Sequence, residues 1–315
     1  MKTVKHLVWG AVIVGVPGIL LGVAHAEGSV KFWTSRPPAG VATAHALRAA
    51  ARSEAQSNFW ITAANCLNDT SASLPACIQE ATDERSDSFD EAENQFDARL
   101  DLLALLGDGP YDPVLNPLDF SPNVTNSYLP LIPGRTLVYE QMTPGGLEHI
   151  EIATLPQTIM IAGVSCRVVH DVVTVNGVVV EDTQDWLAQH SNGDVWYLGE
   201  ISLSFEDGFL DSLHGSWRTG HEGAKAGVLM LAAPAAGAVY RQEYLPSVAE
   251  DVARIVATGV TITVAYGTFA NCIKTLDGSP IEPGKFEYKY YAPGVGLVAE
   301  EDPATGALLE LVQIL

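Results

Sequence analysis

The side chains best suited to chemistry in this sequence are carboxylates spaced two and four apart. Glu181 and Asp185 alternate with Thr183 in Glu181-Asp-Thr-Gln-Asp-Trp186, so on an extended strand they share one face, with Gln189 further along it. Glu200 stands on what reads as the next strand, sharing a face with Trp196 and Leu198 by the same alternation, and Glu243 stands on a later one beside Arg241. If these faces turn inward, four carboxylates converge. Arg241 lies roughly 6–7 Å from Glu243 along the strand, and one guanidinium offsets only part of that charge. Such a set can bind a hard cation through oxygen ligands, with calcium favoured over zinc. It can also hold a cationic or polar small molecule, or supply an acid/base pair for sugar hydrolysis. Trp186, Trp196, Trp217 and Tyr244 are candidates for a stacking wall beside it.

Other chemistries lack their signatures. Gly-x-Ser-x-Gly, Walker, dinucleotide-binding and His-Glu-x-x-His patterns are absent. Ser212-Leu-His-Gly-Ser216 puts two serines beside a histidine without a nucleophile elbow. The acids from Asp83 to Glu93 lack the order and the glycine of a calcium loop and read as a solvated helix face.

The elements that must position the acidic set are strands. From residue 134 to 315 period-two segments alternate with turn chemistry such as Val175-Asn-Gly177, Asp207-Gly208 and Asp277-Gly278. The pattern predicts an antiparallel barrel, half-barrel or sandwich. Residues 149–154 and 158–161 read as separate strands, as do 195–198 and 202–205, and one helix is expected over 247–257. Ahead of this domain, residues 42–107 read as a helical hairpin, broken by Asp69-Thr-Ser-Ala-Ser73 and restarted at Pro75. Residues 27–41 form an extended lead-in, and the Pro- and Asn-rich stretch 108–133 a connector. The fold class is mainly β behind an α-helical hairpin, α+β overall.

Export sets the compartment. Lys2 and Lys5 precede an apolar run, and Ala24-His-Ala26 gives the small-x-small cleavage pattern, so residues 1–26 read as a signal peptide. No second stretch long enough to span a membrane follows. The chain carries 17 Lys+Arg against 38 Asp+Glu, a net charge of −21. That balance disfavours nucleic acid and anionic lipid as partners. Four cysteines in an exported chain suggest two disulfides, Cys66–Cys77 stapling the hairpin and Cys166–Cys272 within the β domain.

Several segments carry a resemblance: Asn126 to Glu140, Val180 to Gln189, Val195 to Glu200, Tyr240-Arg-Gln-Glu-Tyr244 and the closing Tyr290-Tyr-Ala-Pro-Gly-Val-Gly-Leu-Val298. Over residues 126–315 the chain resembles a family of uncharacterised secreted bacterial β proteins, which implies an exported β fold and no activity. The expectation is an acidic periplasmic or extracellular protein that binds rather than catalyses. Its ligand would be a divalent cation, with calcium the possible cofactor, or a small polar molecule held by Glu181, Asp185, Glu200, Glu243, Gln189 and Arg241. The alternatives are a carrier of an apolar ligand on a curved sheet, and a carbohydrate-active hydrolase using paired carboxylates.

Overall fold

The computed structural model describes residues 37–70 and 73–315. The signal segment, most of the lead-in and part of the turn at 69–73 lie outside the described residues.

Helices α1 (Ala39–Asn68) and α2 (Leu74–Leu106) form the expected hairpin. Its buried seam is built from small residues, Ala44, Ala55 and Ala63 on α1 and Ala81 and Ala92 on α2, which let the two backbones approach closely. Between them the guanidinium groups of Arg48, Arg52 and Arg85 lie over the rings of Phe96, Phe89 and Phe59 at 4.1, 4.2 and 4.2 Å, a favourable cation–π geometry. Arg48 and Arg52 both reach Glu93 at 3.0 Å. Cys66 and Cys77 are joined at the far end, Cα to Cα 5.8 Å.

The β domain comprises β1 (Phe120–Ser121), β2 (Thr136–Thr143), β3 (Gly146–Ile161), β4 (Val164–Val175), β5 (Val178–His190), β6 (Val195–Glu206), β7 (Phe209–Ser212) and β8 (Trp217–Arg218). It continues with β9 (Lys225–Met230), β10 (Val239–Arg241), β11 (Glu243–Tyr244), β12 (Val252–Val264), β13 (Gly267–Gly278), β14 (Phe286–Ala292), β15 (Gly296–Glu301) and β16 (Leu308–Ile314). The strands follow the order β10-β12-β13-β14-β15-β16-β2-β3-β4-β5-β6-β9-β11, with β1, β7 and β8 paired at the side of β5 and β6. Only Gln242 separates the two terminal strands β10 and β11 in the chain, so the antiparallel sheet curls into a nearly closed barrel.

Antiparallel pairing sorts the connections to two ends. The β2–β3, β4–β5 and β6–β7 turns and the loops 279–285 and 302–307 gather at one end, here called the mouth. At the other end Val169, Leu187, Val195, Tyr197, Ile273 and Tyr291, drawn from opposite walls, pack into one apolar cluster and form a floor. Val124 and Leu131 of the connector join this cluster. Asn126 fixes the connector there, donating to the carbonyls of Gly193 and Leu231 and accepting from the amides of Tyr128 and Leu129.

The near half of the hairpin docks at the mouth. Arg99 of α2 makes a bidentate pair with Glu250, Nε to Oε2 2.9 Å and Nη2 to Oε1 2.8 Å, with only 6 % and 3 % of the two side chains exposed. Gln95 donates to the Ile281 carbonyl at 2.8 Å.

Several expectations need correction. Residues 247–257 are not a helix: 247–251 form a turn in which Glu250 accepts from the Ser247 amide, and β12 begins at Val252. Val248, Val252 and Ile255 fit a helical face, but Val252, Ile255, Val260 and Ile262 belong equally to an alternating strand, and pairing with β13 decides between them. The second disulfide is absent: Cys166 and Cys272 are both free and buried. Cys166 lies under Ile161, Ala188 and Leu198, whereas Cys272 packs with Val264, Ala292 and Ala299. Five strands separate β4 from β13 in the sheet, so the thiols stand in different clusters.

Candidate functional site

The acids gather in the mouth half of the barrel. On β5, Glu181, Thr183 and Asp185 stand opposite Ser204, Ser202 and Glu200 of β6, and Asp171 of β4 stands opposite Thr183. Thr183 Oγ1 donates to Glu181 Oε1 at 2.8 Å and accepts from Ser202 Oγ at 2.9 Å, which links this wall into a connected row. From the facing wall come Asp277 of β13, Glu287 and Lys289 of β14 and Glu300 of β15; Asp277 pairs with Glu287 and Lys289 with Glu300. Lys289 Nζ lies 3.3 Å from Glu300, and 26 % and 22 % of the two side chains stay exposed although both face inward, so the space between the walls admits solvent. Among the described residues Lys289 is the one lysine or arginine within ion-pair distance of these carboxylates.

Asp185 and Glu200 form the tightest pair. Tyr197 Oη lies 2.5 Å from Asp185 Oδ1 and 2.9 Å from Glu200 Oε2. One hydroxyl carries one proton, so the two contacts require a second proton from a partner. Burial, together with the Asp185 charge, pushes Glu200 up to about 8. Burial raises Asp185 to about 6, held back by the Tyr197 hydrogen bond. Burial and mutual repulsion thus favour keeping a proton on this pair, and with it the Tyr197 hydroxyl can bridge the two carboxyl groups as donor to one and acceptor from the other. Burial and the charges of Asp185 and Glu181 push Asp171 up to about 8. Burial, with Asp251 and Glu200 nearby, holds Glu243 well above the usual carboxylate range. Glu300 raises Lys289 well above its ordinary value.

A bulge decides which β6 residues reach the lumen. Pairing runs Asp185–Glu200 and then Leu187–Tyr197, so β6 carries one extra residue there, at Leu198-Gly199. Gly199 adopts φ +143°, and a Cβ on it would meet the Trp217 carbonyl oxygen at 2.5 Å. The bulge turns Tyr197 and Glu200 to the same side. Strict alternation would have grouped Glu200 with Trp196 and Leu198, but these two lie in the outer cluster with Trp186 and Phe120.

The remaining candidates disperse. Gln189 lies away from the acids, its Oε1 accepting from the amides of Thr125 and Asn126 and so tying down the connector. Arg241 stacks on Tyr244 at 4.9 Å and Tyr111 at 5.5 Å, against the helical hairpin, and offsets none of the lumen charge. Trp217 joins the floor, edge-on to Tyr197 at 5.3 Å, so the four aromatics of the expected wall occupy three separate places. Among the described residues no three His, Cys, Asp or Glu side chains gather closely enough to hold a metal ion.

No family model matches the chain, and no curated protein matches it. The chain is similar to a solved structure, a "putative lipoprotein" from Parabacteroides distasonis ATCC 8503, at 14 % identity over 60 % of this chain and 99 % of that one, with a TM-score of 0.33. At that level the likeness says nothing about function.

The lumen residues that sequence reasoning missed are Asp171, Asp277, Glu300 and Lys289. Each alternates with residues that face the floor or the lumen: Asp171 with Val169, Lys289 with Tyr291, Glu300 with Val298. The signal is therefore the same period of two that marked Glu181 and Asp185. It is hidden because charged residues on the outer face, such as Asp182 and Glu301, are equally common.

Proposed function

We propose that this is an exported, non-catalytic binding protein whose barrel mouth takes a small cationic or polar organic molecule. The observation that carries this is the charge of the lumen: Asp171, Glu181, Asp185, Glu200, Asp277 and Glu300 from two facing walls meet one lysine. Like charges confined this way either keep protons or recruit a counter-charge, and a ligand ammonium or guanidinium group supplies one. The stapling disulfide fits an oxidising compartment. An organic cation suits the set better than calcium, because its hydrogen bonds can be distributed over both walls, whereas calcium needs six to eight oxygens around one point.

The hydrolase alternative is less well supported. Asp185 and Glu200 stand directly opposite, but the Tyr197 hydroxyl occupies the place between them where a scissile bond would have to lie. The apolar-carrier alternative would use the floor, whose side chains pack against one another.

The test is a thermal-shift panel with guanidinium, ethylammonium, calcium, and acetate as the anionic control. Organic cations at millimolar concentration should raise the midpoint by mass action on the folded state, acetate should not, and Asp185→Asn with Glu200→Gln should remove the response while leaving a cooperative transition. A midpoint that no cation moves would end the proposal.

A further inference from the structure

Two features of the mouth are unexplained by a bare cation site. The first is a row of oxygen atoms without protein partners. Tyr240 of β10, Ala253 of β12, Asp277 of β13 and Glu287 of β14 stand opposite one another in sequence across the sheet. Asp277 and Tyr240 are only 7 % and 8 % exposed, yet Asp277 Oδ1 and the Tyr240 hydroxyl have no hydrogen-bond partner, and neither does Asp171 Oδ1 on the facing wall. Buried polar atoms are nearly always paired, and an unpaired one costs the desolvation of that group. A donor-rich group in the lumen would satisfy the carboxylate oxygens among them. Gln242 already satisfies the other Asp277 oxygen, Nε2 to Oδ2 3.1 Å, so the carboxylate is held in place with Oδ1 free.

The second feature is an apolar lip directly above the acidic wall. Val175 lies two residues beyond Val173, which stands opposite lumen-facing Glu181, so Val178, paired with Val175, turns to the mouth. Phe209 is paired with Glu206, two residues beyond Ser204, which also stands opposite Glu181. Val178 and Phe209 are 56 % and 77 % exposed. They sit on adjacent hairpins. A polar ligand alone gives no reason for solvent-exposed Phe and Val beside a carboxylate-lined wall.

We infer that the ligand is a small amphiphile with a cationic, multiply donating head and an apolar tail, bound with its head between Asp171 and Asp277 and its tail along Val178 and Phe209. This inference rests on the proposed binding role of the lumen and adds the class and orientation of the ligand. A primary ammonium has three N–H donors and a guanidinium five, enough to serve several carboxylate acceptors while compensating their charge. The tail then covers the exposed lip, which explains why that surface is apolar in a chain of net charge −21.

The test uses the full folded protein and a homologous series as probes: ethyl-, butyl-, hexyl- and octylammonium, with octyl sulfate as the head-group control, all below their micelle-forming concentrations. Affinity is read by calorimetry. Each methylene fully buried against the lip tightens binding by about fourfold; with the six extra methylenes only partly buried, at about 1.8-fold each, octylammonium should bind roughly thirtyfold tighter than ethylammonium, and octyl sulfate should not bind. Val178→Ser with Phe209→Ser, both exposed positions, should flatten the chain-length series without touching ethylammonium binding. Asp277→Asn should weaken every ammonium by a similar factor. Equal affinities for ethyl- and octylammonium would overturn the amphiphile inference and leave the cationic site standing. Octyl sulfate binding as tightly as octylammonium, or no ammonium binding at all, would overturn both.

Discussion

The helical hairpin and the barrel solve the same problem, burying charged residues, in opposite ways. In the hairpin every buried or half-buried guanidinium finds a partner on the neighbouring helix or on the barrel: Arg48, Arg52 and Arg85 cover phenylalanine rings and Arg99 grips Glu250. In the barrel the carboxylates outnumber their one lysine, and burial and mutual repulsion push several of them above the usual carboxylate range. Charge matched internally is structural. Charge left unmatched is the feature on which the proposed recognition site in the barrel mouth rests.

The contrast is open to attack from both sides. The largest effect should come from Arg99→Met. It leaves Glu250 buried without its counter-charge, a change that typically costs about 3–5 kcal/mol. Urea unfolding should show the loss, and Arg99→Met with Glu250→Gln should recover a large part of it. If the single variant is as stable as the parent, the hairpin is not docked through this pair. The stapled tip is next. Cys66 and Cys77 are 11 residues apart, and chain-entropy arguments give about 3 kcal/mol for a loop of that size. Replacing both with serine should loosen the far half of the hairpin, seen as faster amide exchange over residues 50–90, while exchange in the barrel strands stays unchanged.

Gly199→Ala attacks the barrel. Its φ of +143° and the close Trp217 carbonyl together should cost roughly 2–3 kcal/mol. The loss should be accompanied by a changed Tyr197 environment, read by near-ultraviolet circular dichroism, since the bulge is what turns Tyr197 and Glu200 to the same side. An alanine variant of full stability with an unchanged spectrum would show that the bulge is not needed.

The effect most diagnostic of the lumen is on pH dependence. Asp171 and Glu200 release their protons near pH 8 in the fold and near pH 4 when unfolded. The folded chain binds more protons between those values. The stability these groups contribute is thus fully present below about pH 4 and is lost as pH rises through about 8. The midpoint should fall between pH 5 and pH 9, and Asp171→Asn with Glu200→Gln should flatten that fall. A profile identical to the parent's would mean the lumen acids titrate normally.

What was legible in the sequence follows from the same physics. Period-two alternation with Asn-Gly and Asp-Gly turns marked the strands, and Cys66 and Cys77 flanking a turn marked the staple. Alternation also put Glu181 and Asp185 on one wall. It failed where a bulge interrupts it. Residues 149–154 and 158–161 are one strand, β3, broken by a register shift whose carbonyls at Leu155 and Pro156 accept from Arg167. Residues 195–198 and 202–205 are likewise one strand, β6, divided by the Gly199 bulge. In both cases the apparent gap between two strands was the bulge itself, and a glycine or proline inside a strand pattern is its signature. The convergence of Asp171, Asp277, Lys289 and Glu300 could not be read at all, because it depends on the curvature that brings β13–β15 to face β4–β6. Arg241 illustrates the converse: two residues from Glu243 in sequence, it points to the hairpin because β10 and β11 separate at Gln242.

The central claim is that the lumen carboxylates receive a cation. Proton release on binding tests it most directly. Octylammonium titrated calorimetrically at pH 7 in phosphate and in HEPES, buffers of different ionisation enthalpy, reports the protons displaced. A cation entering beside Asp171 and Glu200, both still protonated at that pH, should release about one proton as it lowers their pKa values. The release should disappear in Asp171→Asn with Glu200→Gln. Binding with no proton release, or with release unchanged in that variant, would contradict the account.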